Sequence, residues 1–258
     1  MLDVTPVRAF SDNYIWVVHG TVSAKLVAVV DPGDAAPVFA HLEATGLEIA
    51  AILVTHHHRD HCGGVPALKE KHDVPVVGPA TEEIPLRTQA ARGGERVELE
   101  DLGLKFDVLD IPGHTRGHIA FHGHGAVFCG DTLFSAGCGR LFEGTPAQMS
   151  HSLGALRALP PGTRIFCGHE YTASNLRFAL AVEPGNEQAQ RYAEESHQRL
   201  AQGRPTLPST LALEIAVNPF LRCDTATVRR AASQHAGREI EDPVEVFATI
   251  RRWKDEFR

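Results

Sequence analysis

The sequence lacks any apolar run that approaches the roughly 20 residues required to span a bilayer. Residues 1–6 contain neither the basic start nor the apolar core of a secretory signal. Internal repeats of solenoid period and low-complexity segments are also missing. These absences predict a soluble, cytoplasmic protein with no membrane partner.

Paired cysteines are absent as well. The five cysteines are scattered, and no two of them form a C-x-x-C pair. This argues against a disulfide framework and against a thiolate zinc knuckle, so we expect small buried core thiols. No G-x-S-x-G sequence is present to supply a nucleophilic serine.

A net positive charge is also absent. The chain carries 25 Lys and Arg against 32 Asp and Glu, a net charge of −7, which disfavours a nucleic-acid partner. At 258 residues, with 43% hydrophobic and 22% charged residues, it has the composition of a soluble globular enzyme. The length allows one large domain or two unequal ones.

The distribution of apolar residues divides the chain into two parts. Before residue 170, short runs rich in Val, Ile and aromatic residues predict strands, interspersed with helices at 35–44, from 65 to about 72, and at 147–159. The predicted strands cover 4–10, 14–18, 26–30, 50–54, 74–77, 104–109, 119–121, 126–129 and 164–167, while 81–94 is expected to be irregular. After residue 170, helices are predicted at 173–182, 187–202, 208–217, 226–235 and 244–257. We therefore predict an α/β domain over 1–169 and a helical domain over 170–258.

The most informative stretch is residues 55–61, Thr-His-His-His-Arg-Asp-His. It follows a buried-strand pattern, and Gly63 and Gly64 then precede a helical pattern, so the polar cluster lies on a tight strand-to-helix turn. Imidazole and carboxylate groups are ligands that suit zinc, iron or manganese. A solvated His-rich loop is the alternative, but it does not explain the placement at a strand end. The stretch predicts a catalytic metal site.

Three later residues, His114, Asp131 and His169, each follow a glycine. Taken singly, each is typical of a turn or a cap. With the first cluster they provide seven nitrogen or oxygen donors, which is too many for one tetrahedral ion and suitable for two. The candidate donors are His56, His58, Asp60, His61, His114, Asp131 and His169.

This pattern resembles the metallo-β-lactamase fold family, and within it glyoxalase II, the hydroxyacylglutathione hydrolases. Further stretches agree with that family over nearly the whole chain, including Gly-Cys-Gly-Arg at 137–140, Gly-His-Glu-Tyr-Thr at 168–172, Val-Glu-Pro-Gly-Asn at 182–186, Val-Asn-Pro-Phe at 217–220 and Arg-Arg-x-Lys-Asp at 251–255. The resemblance implies an α/β fold, an αββα sandwich of two sheets between helices, followed by a small all-helical domain.

The resemblance also implies two divalent ions per chain, zinc in the first place, with iron or manganese as alternatives. One ion would be held by His56, His58 and His114, and the other by Asp60, His61 and His169. Asp131 would bridge both. His57 and Arg59 alternate with the ligands and are expected to face away from the ions. The other histidines, His118 among them, are expected to be surface or structural residues.

The activity that the resemblance implies is hydrolysis of S-2-hydroxyacylglutathione, such as S-D-lactoylglutathione, to glutathione and D-lactate, the second step of methylglyoxal detoxification. A hydroxide bridging the ions would attack the thioester carbonyl, and the thiolate would leave without a strong general acid. Asp60 and Asp131 are the expected catalytic residues, with Asp60 handling the proton.

Glutathione carries two carboxylates, so its site should be basic within an acidic protein. The resemblance places Arg140, Phe142, Tyr171, Arg251 and Lys254 there. Animal members of the family carry Tyr where this chain has Phe142, so one hydroxyl contact is expected to be missing. A solvated helix face is the alternative interpretation of the two C-terminal cations. We expect a monomer.

Two other functions fit parts of the pattern. An iron-dependent persulfide dioxygenase of the same fold would need only the first group of ligands, and a non-catalytic metal-binding module would need no turnover. The complete second group, Asp60, His61 and His169, favours the hydrolase.

Overall fold

The computed structural model describes residues 2–257. The first six strands form one sheet in chain order: β1 (Val4–Ala9), β2 (Asn13–His19), β3 (Leu26–Val30), β4 (Glu48–Leu53), β5 (Val76–Pro79) and β6 (Gln89–Ala91). From β3 to β6 the neighbours are parallel. Parallel neighbours require crossover connections. Helices lie in two of these connections, α1 (Ala35–Thr45) before β4, then α2 (Arg59–Cys62) and α3 (Val65–Lys71) before β5.

A second six-stranded sheet follows, with a separate hairpin. In chain order its strands are β7 (Arg96–Leu99), β8 (Leu104–Asp110), β9 (Ile119–Gly123), β10 (Ala126–Gly130), β13 (Arg164–Cys167) and β14 (Ser209–Thr210). The hairpin pairs β11 (Leu133–Phe134) with β12 (Gly137–Cys138). The remaining helices are α4 (Pro146–Arg157), α5 (Thr172–Val182), α6 (Glu187–Ala201), α7 (Leu211–Val217), α8 (Ala226–Ala236) and α9 (Pro243–Glu256), with short 3-10 turns at Glu100–Leu102 and Pro219–Leu221.

Strand β2 shows why the first sheet is buried on both faces. Successive side chains of a strand point to opposite faces. Tyr14 and Trp16 belong to the core shared with the second sheet, whereas Ile15 and Val17 pack with residues of α1 and α3. The Trp16 ring lies 5.0 Å from the ring of Phe166 in β13, so the two sheets pack face to face. The predicted α/β sandwich is confirmed.

The carboxyl ends of β4, β10 and β13 meet at one edge of the sandwich. The backbone N–H of Gly168, after β13, donates to the carbonyl of Gly130 at the end of β10, 2.9 Å away. The N–H of Ile119 donates to the carbonyl of Thr55, after β4, at 3.0 Å. The loops that carry the seven candidate donors therefore converge.

Several segments of the structure differ from the prediction. The segment 81–94 was expected to be irregular, but it contains β6, which is three residues long and pairs with β5. Strand β7 was not predicted, although its residues alternate between exposed and buried. The helix predicted at 208–217 begins only at Leu211, because the Thr210 side chain caps it and the two preceding residues are extended and pair with β13.

None of the helices within residues 2–257 combines the length and the apolar character that a bilayer span demands.

Candidate functional site

All seven candidate donors lie together at this edge of the sandwich. His56 and His58 belong to the loop after β4, Asp60 and His61 to α2, and the other three to the loops after β8, β10 and β13. Four of the donors, His56, His61, His114 and His169, are at most 5% exposed. The strand ends fix the backbone positions of the donors, and burial restricts the conformations of their side chains.

Three histidine nitrogens form the first group of donors. His56 Nε2 lies 3.2 Å from His58 Nδ1, which in turn lies 3.0 Å from His114 Nε2. Tetrahedral ligands at 2.0–2.1 Å from a zinc ion are about 3.3–3.4 Å apart. The spacing of the three nitrogens is therefore suited to one ion. His58 presents Nδ1 to the group, whereas His56 and His114 present Nε2.

Asp60, His61 and His169 form the second group. His61 Nε2 and His169 Nε2 are 3.3 Å apart, and Asp60 Oδ2 lies 3.5 Å from the former and 3.4 Å from the latter. These three atoms have the same spacing as the first group, with one carboxylate oxygen in place of a nitrogen. This group could hold a second ion.

Asp131 lies between the two groups. Its Oδ1 is 3.3 Å from His61 Nε2, and its Oδ2 is 3.2 Å from His169 Nε2 and 3.5 Å from His114 Nε2. The Oδ1 atom is buried and has no hydrogen-bond partner among the described residues. A buried carboxylate oxygen without a partner is costly unless a cation faces it. The donor set therefore fits a binuclear metal site.

A second ring of acceptors orients the imidazoles. His61 Nδ1 lies 3.1 Å from Asp31, His169 Nδ1 lies 2.7 Å from Asp12, and His114 Nδ1 lies 2.8 Å from the carbonyl of Arg140. A hydrogen bond at one ring nitrogen directs the other toward an ion. Sequence reasoning missed Asp12 and Asp31. Asp31 directly follows β3, so it carries the same strand-end signal that drew attention to Asp131.

His118 is a further residue whose role the sequence did not indicate. It is fully buried, and its ring stacks on His56 with centroids 4.5 Å apart. Its Nε2 accepts from the N–H of Asp131 at 3.2 Å, and burial holds the pKa of His118 well below its usual range. A neutral His118 therefore positions the backbone of Asp131.

His57 is bound by Glu82 and also lies near His58 and Glu143. Its backbone N–H donates to the Glu82 carboxylate at 2.6 Å, and its Nδ1 lies 2.9 Å from the same oxygen. Glu82 also accepts from the hydroxyl of Thr115 at 2.5 Å and from the N–H of Gly117 at 2.9 Å. One buried carboxylate thus ties the loop after β4 to the loop after β8.

The pKa shifts of the histidines differ between the two groups of donors. Burial lowers the pKa of His56 well below its usual range, so its ring is neutral and ready to bind a cation. Burial also lowers the pKa of His169, but the charge and hydrogen bond of Asp131 outweigh that effect and raise the pKa to about 10. Near Asp131, protons occupy positions that a metal cation would take, and metal binding would release them.

A cavity of about 550 Å³ opens beside the donors and brings together all five predicted substrate contacts. His58, Asp60, His114, Asp131 and His169 lie on the metal side of this cavity. The rest of the lining includes Arg140, Phe142, Tyr171, Arg251, Lys254 and Asp255. Arg140, Arg251 and Lys254, here called the cationic wall, therefore line the same cavity as the metal donors.

The two C-terminal cations differ in exposure. Arg251 is 5% exposed and donates to the carbonyl of Cys138 at 2.8 Å and to Asp255 at 3.0 Å. Lys254 is half-buried and donates to the carbonyl of Ser174 at 3.2 Å. The sequence left open that Arg251 and Lys254 lie on a solvated helix face. Arg251 does not, because it is buried and forms part of the cavity wall.

Two aromatic rings flank the donors. The ring of Tyr171 stacks on His169 at 4.7 Å with an interplanar angle of 5°. Phe142 is 63% exposed, and its ring lies 5.7 Å from His58 and 5.2 Å from His114. Both rings offer apolar surface to a ligand beside the metal groups.

The fold and the metal donors define the superfamily to which the chain belongs. The family described as the metallo-beta-lactamase superfamily matches residues 9–169, so the chain is a member of that superfamily. Two solved structures share the fold. ETHE1 from Myxococcus xanthus has a TM-score of 0.68 at 22% identity, covering 98% of this chain and 91% of that one. TTHA1623 in a di-iron-bound form has a TM-score of 0.62 at 29% identity, covering 84% and 100%.

The C-terminal region and full-length relatives define the family within that superfamily. The family described as hydroxyacylglutathione hydrolase C-terminus matches residues 170–257. The hydroxyacylglutathione hydrolase of Nitrosomonas eutropha is 51% identical over 258 residues, and that of Pseudomonas aeruginosa strain PAO1 is 54% identical over 262 residues. Each alignment covers 100% of both chains. The chain belongs to the hydroxyacylglutathione hydrolase family, and the resemblance seen in the sequence is confirmed.

Proposed function

We propose that this chain is a metal-dependent hydrolase that cleaves S-2-hydroxyacylglutathione thioesters, such as S-D-lactoylglutathione, to glutathione and a 2-hydroxy acid. This is the second step of methylglyoxal degradation, and we place it in the cytoplasm, in a monomer. The observation that carries the proposal is the pair of donor groups that share Asp131 beside a cavity with a cationic wall. Family membership supports it.

We further propose that His56, His58 and His114 hold one divalent ion, that Asp60, His61 and His169 hold the other, and that Asp131 contacts both. Zinc suits this ligand set, and iron or manganese could replace it. Bound there, two such ions would supply hydroxide at neutral pH and polarise the thioester carbonyl.

Asp60 is suited to accept the proton of the attacking water. Its Oδ2 accepts from the Asn13 side chain at 3.0 Å, and Asp60 lines the cavity. Burial alone would raise the pKa of Asp60, but the hydrogen bond with His169 and the charge of His61 outweigh burial and hold it below the usual range. The carboxylate is therefore ionised, the form that can bind a cation, and its oriented oxygens can accept a hydrogen bond from an attacking water.

The cationic wall is suited to the carboxylates of glutathione. Lys254 and Arg140 line the cavity, and the Arg140 side chain is 66% exposed, so its guanidinium can reach a ligand. Phe142 contributes ring surface without a hydroxyl group. Because a thiolate is a good leaving group, the chain needs no strong general acid beside the sulfur.

The test is hydrolysis of S-D-lactoylglutathione, followed by release of free thiol, with metal content measured on the same sample. Thiol release by a protein with close to two ions per chain is the expected result. One iron per chain, with oxygen consumption on glutathione persulfide, would instead identify a dioxygenase. A metal-loaded protein without thioester turnover would be a metal-binding module.

A further inference from the structure

The hairpin β11–β12 forms part of the cavity wall and contacts both sides of it. The Phe134 ring lies 5.2 Å from the Tyr171 ring and 5.9 Å from the His169 ring. At the other end of the hairpin, the carbonyl of Cys138 accepts from Arg251. The hairpin therefore contacts both an aromatic and a cationic residue of the cavity lining.

Side chains of the C-terminal helical region hold the hairpin. Glu214 of α7 is fully buried and accepts from the N–H of Ala136 at 2.7 Å and from the hydroxyl of Ser135 at 2.8 Å. Asn218, also fully buried, donates from Nδ2 to the carbonyl of Phe134 at 3.1 Å and to that of Gly137 at 2.9 Å. Every residue from Phe134 to Gly137 thus has a partner at position 214 or 218.

The tip of the hairpin has an unfavourable backbone conformation. Ala136 has φ of 54°, in the left-handed region that residues with a Cβ adopt at a cost. Its N–H is bound by a carboxylate that is itself costly to bury. Backbone strain that the surroundings hold in place is characteristic of functional sites.

We propose that Glu214 and Asn218 form a clamp that positions the hairpin and so determines the affinity of the cavity for the glutathione moiety. The inference rests on the proposed function, because glutathione is the ligand of that cavity. Neither residue lines the cavity, so both are positioning residues. The clamp also gives a role to the Val-Asn-Pro-Phe stretch at 217–220, which the metal chemistry does not use.

The test is Glu214→Gln in the full-length, metal-loaded protein. Two quantities are measured: steady-state kinetics on S-D-lactoylglutathione and the Kd of the non-hydrolysable thioether S-methylglutathione by calorimetry. Because Gln offers one acceptor oxygen where the carboxylate offers two, the variant loses one hydrogen bond to the hairpin away from the reacting atoms, so KM and Kd should each rise about fivefold to tenfold while kcat changes less than about twofold.

Two further variants separate positioning from general stability. Glu183→Gln removes another buried carboxylate of the same region, one that pairs with Arg222 at 2.7 Å and does not contact the hairpin. It should lower Tm and leave KM and Kd unchanged. Ser135→Ala, a small change that should fold, is expected to raise Kd about twofold to threefold.

Thioether binding by Glu214→Gln and Ser135→Ala as tight as in the parent would overturn the clamp. A parent that binds the thioether but does not hydrolyse the thioester would refute the proposed function instead.

Discussion

At the scale of single residues, the site depends most on Asp131. Its two oxygens lie within 3.5 Å of imidazole nitrogens from both donor groups. His118 accepts from its backbone N–H, and no described side chain satisfies its buried Oδ1. A carboxylate held in this way could contact two cations and offset their repulsion.

We therefore expect Asp131→Ala to lose both ions and to lower kcat/KM by at least about a thousandfold. Metal content measured by mass spectrometry checks the first result, and thioester hydrolysis checks the second. His151→Ala, a change of an exposed histidine on α4, is the matched control and should keep the metal content of the parent. Two ions retained in Asp131→Ala would show that the shared-ligand assignment is wrong.

We expect Lys254 to make substrate binding depend on pH. Burial and the neighbouring charges of Arg251 and Arg177 lower the pKa of Lys254 to about 8. The ammonium form therefore prevails below pH 8 and is lost above it, so the Kd of S-methylglutathione should be constant from pH 6 to 7 and rise by about fivefold by pH 9. Calorimetry across this range measures it. Lys254→Arg keeps its charge at every pH in the range, so an equally steep rise in that variant would assign the dependence to another group.

At the scale of elements, the ends of the strands determine whether the donors meet. Gly130 ends β10 with φ of 45°, directly before Asp131. A Cβ at this position would lie 2.3 Å from Thr55 Oγ1 and 2.9 Å from the His118 ring. The backbone conformation and the close packing both require glycine.

Gly130→Ala should accordingly destabilise the protein by more than about 2 kcal/mol and reduce its metal content, because Asp131 would move with the strand end. Gly154→Ala in α4 is the matched control, since no atom lies within 4 Å of the added methyl group. That change should raise stability by about 0.5–1 kcal/mol and leave the metal content as it is. Urea unfolding and metal analysis distinguish the two variants, and a Gly130→Ala protein with full metal content would contradict the expectation.

At the scale of the whole molecule, one hydrophobic core joins the two parts of the chain. Phe128 and Phe166 of the second sheet belong to the same buried cluster as Phe178 of α5 and Phe247 of α9. Strand β14, which lies in the helical part of the sequence, completes the edge of the second sheet beside β13. The parts meet through core packing and a shared sheet.

Because the core is continuous, we expect a single cooperative thermal transition, with the calorimetric enthalpy equal to the van't Hoff enthalpy. A chain truncated after residue 169 should fail to fold, since it loses β14 and the cover of the second sheet. Two separate calorimetric transitions, or a stable truncated domain, would show that the two parts fold independently.

Sequence patterns predicted elements well where a segment is long or fully buried. Strand β3 and strand β13 begin and end as predicted, because every residue after the first in each strand is apolar and buried, while the first residues, Leu26 and Arg164, are half-buried. Strands β6 and β14 could not be predicted, since runs of three and two residues are extended only because a neighbouring strand pairs with them. Strand β7 carried an alternating pattern that could have been recognised.

The sequence by itself determined the chemistry of the donors and the family, because residue type and local spacing are properties of the chain alone. Only the tertiary structure decided which atoms face one another: Nδ1 rather than Nε2 of His58, Asp12 on His169 across 157 positions, and Glu214 on the hairpin. Such contacts arise where strand ends and helices pack together. Nothing in the local sequence encodes that packing, so these contacts had to be seen in the fold.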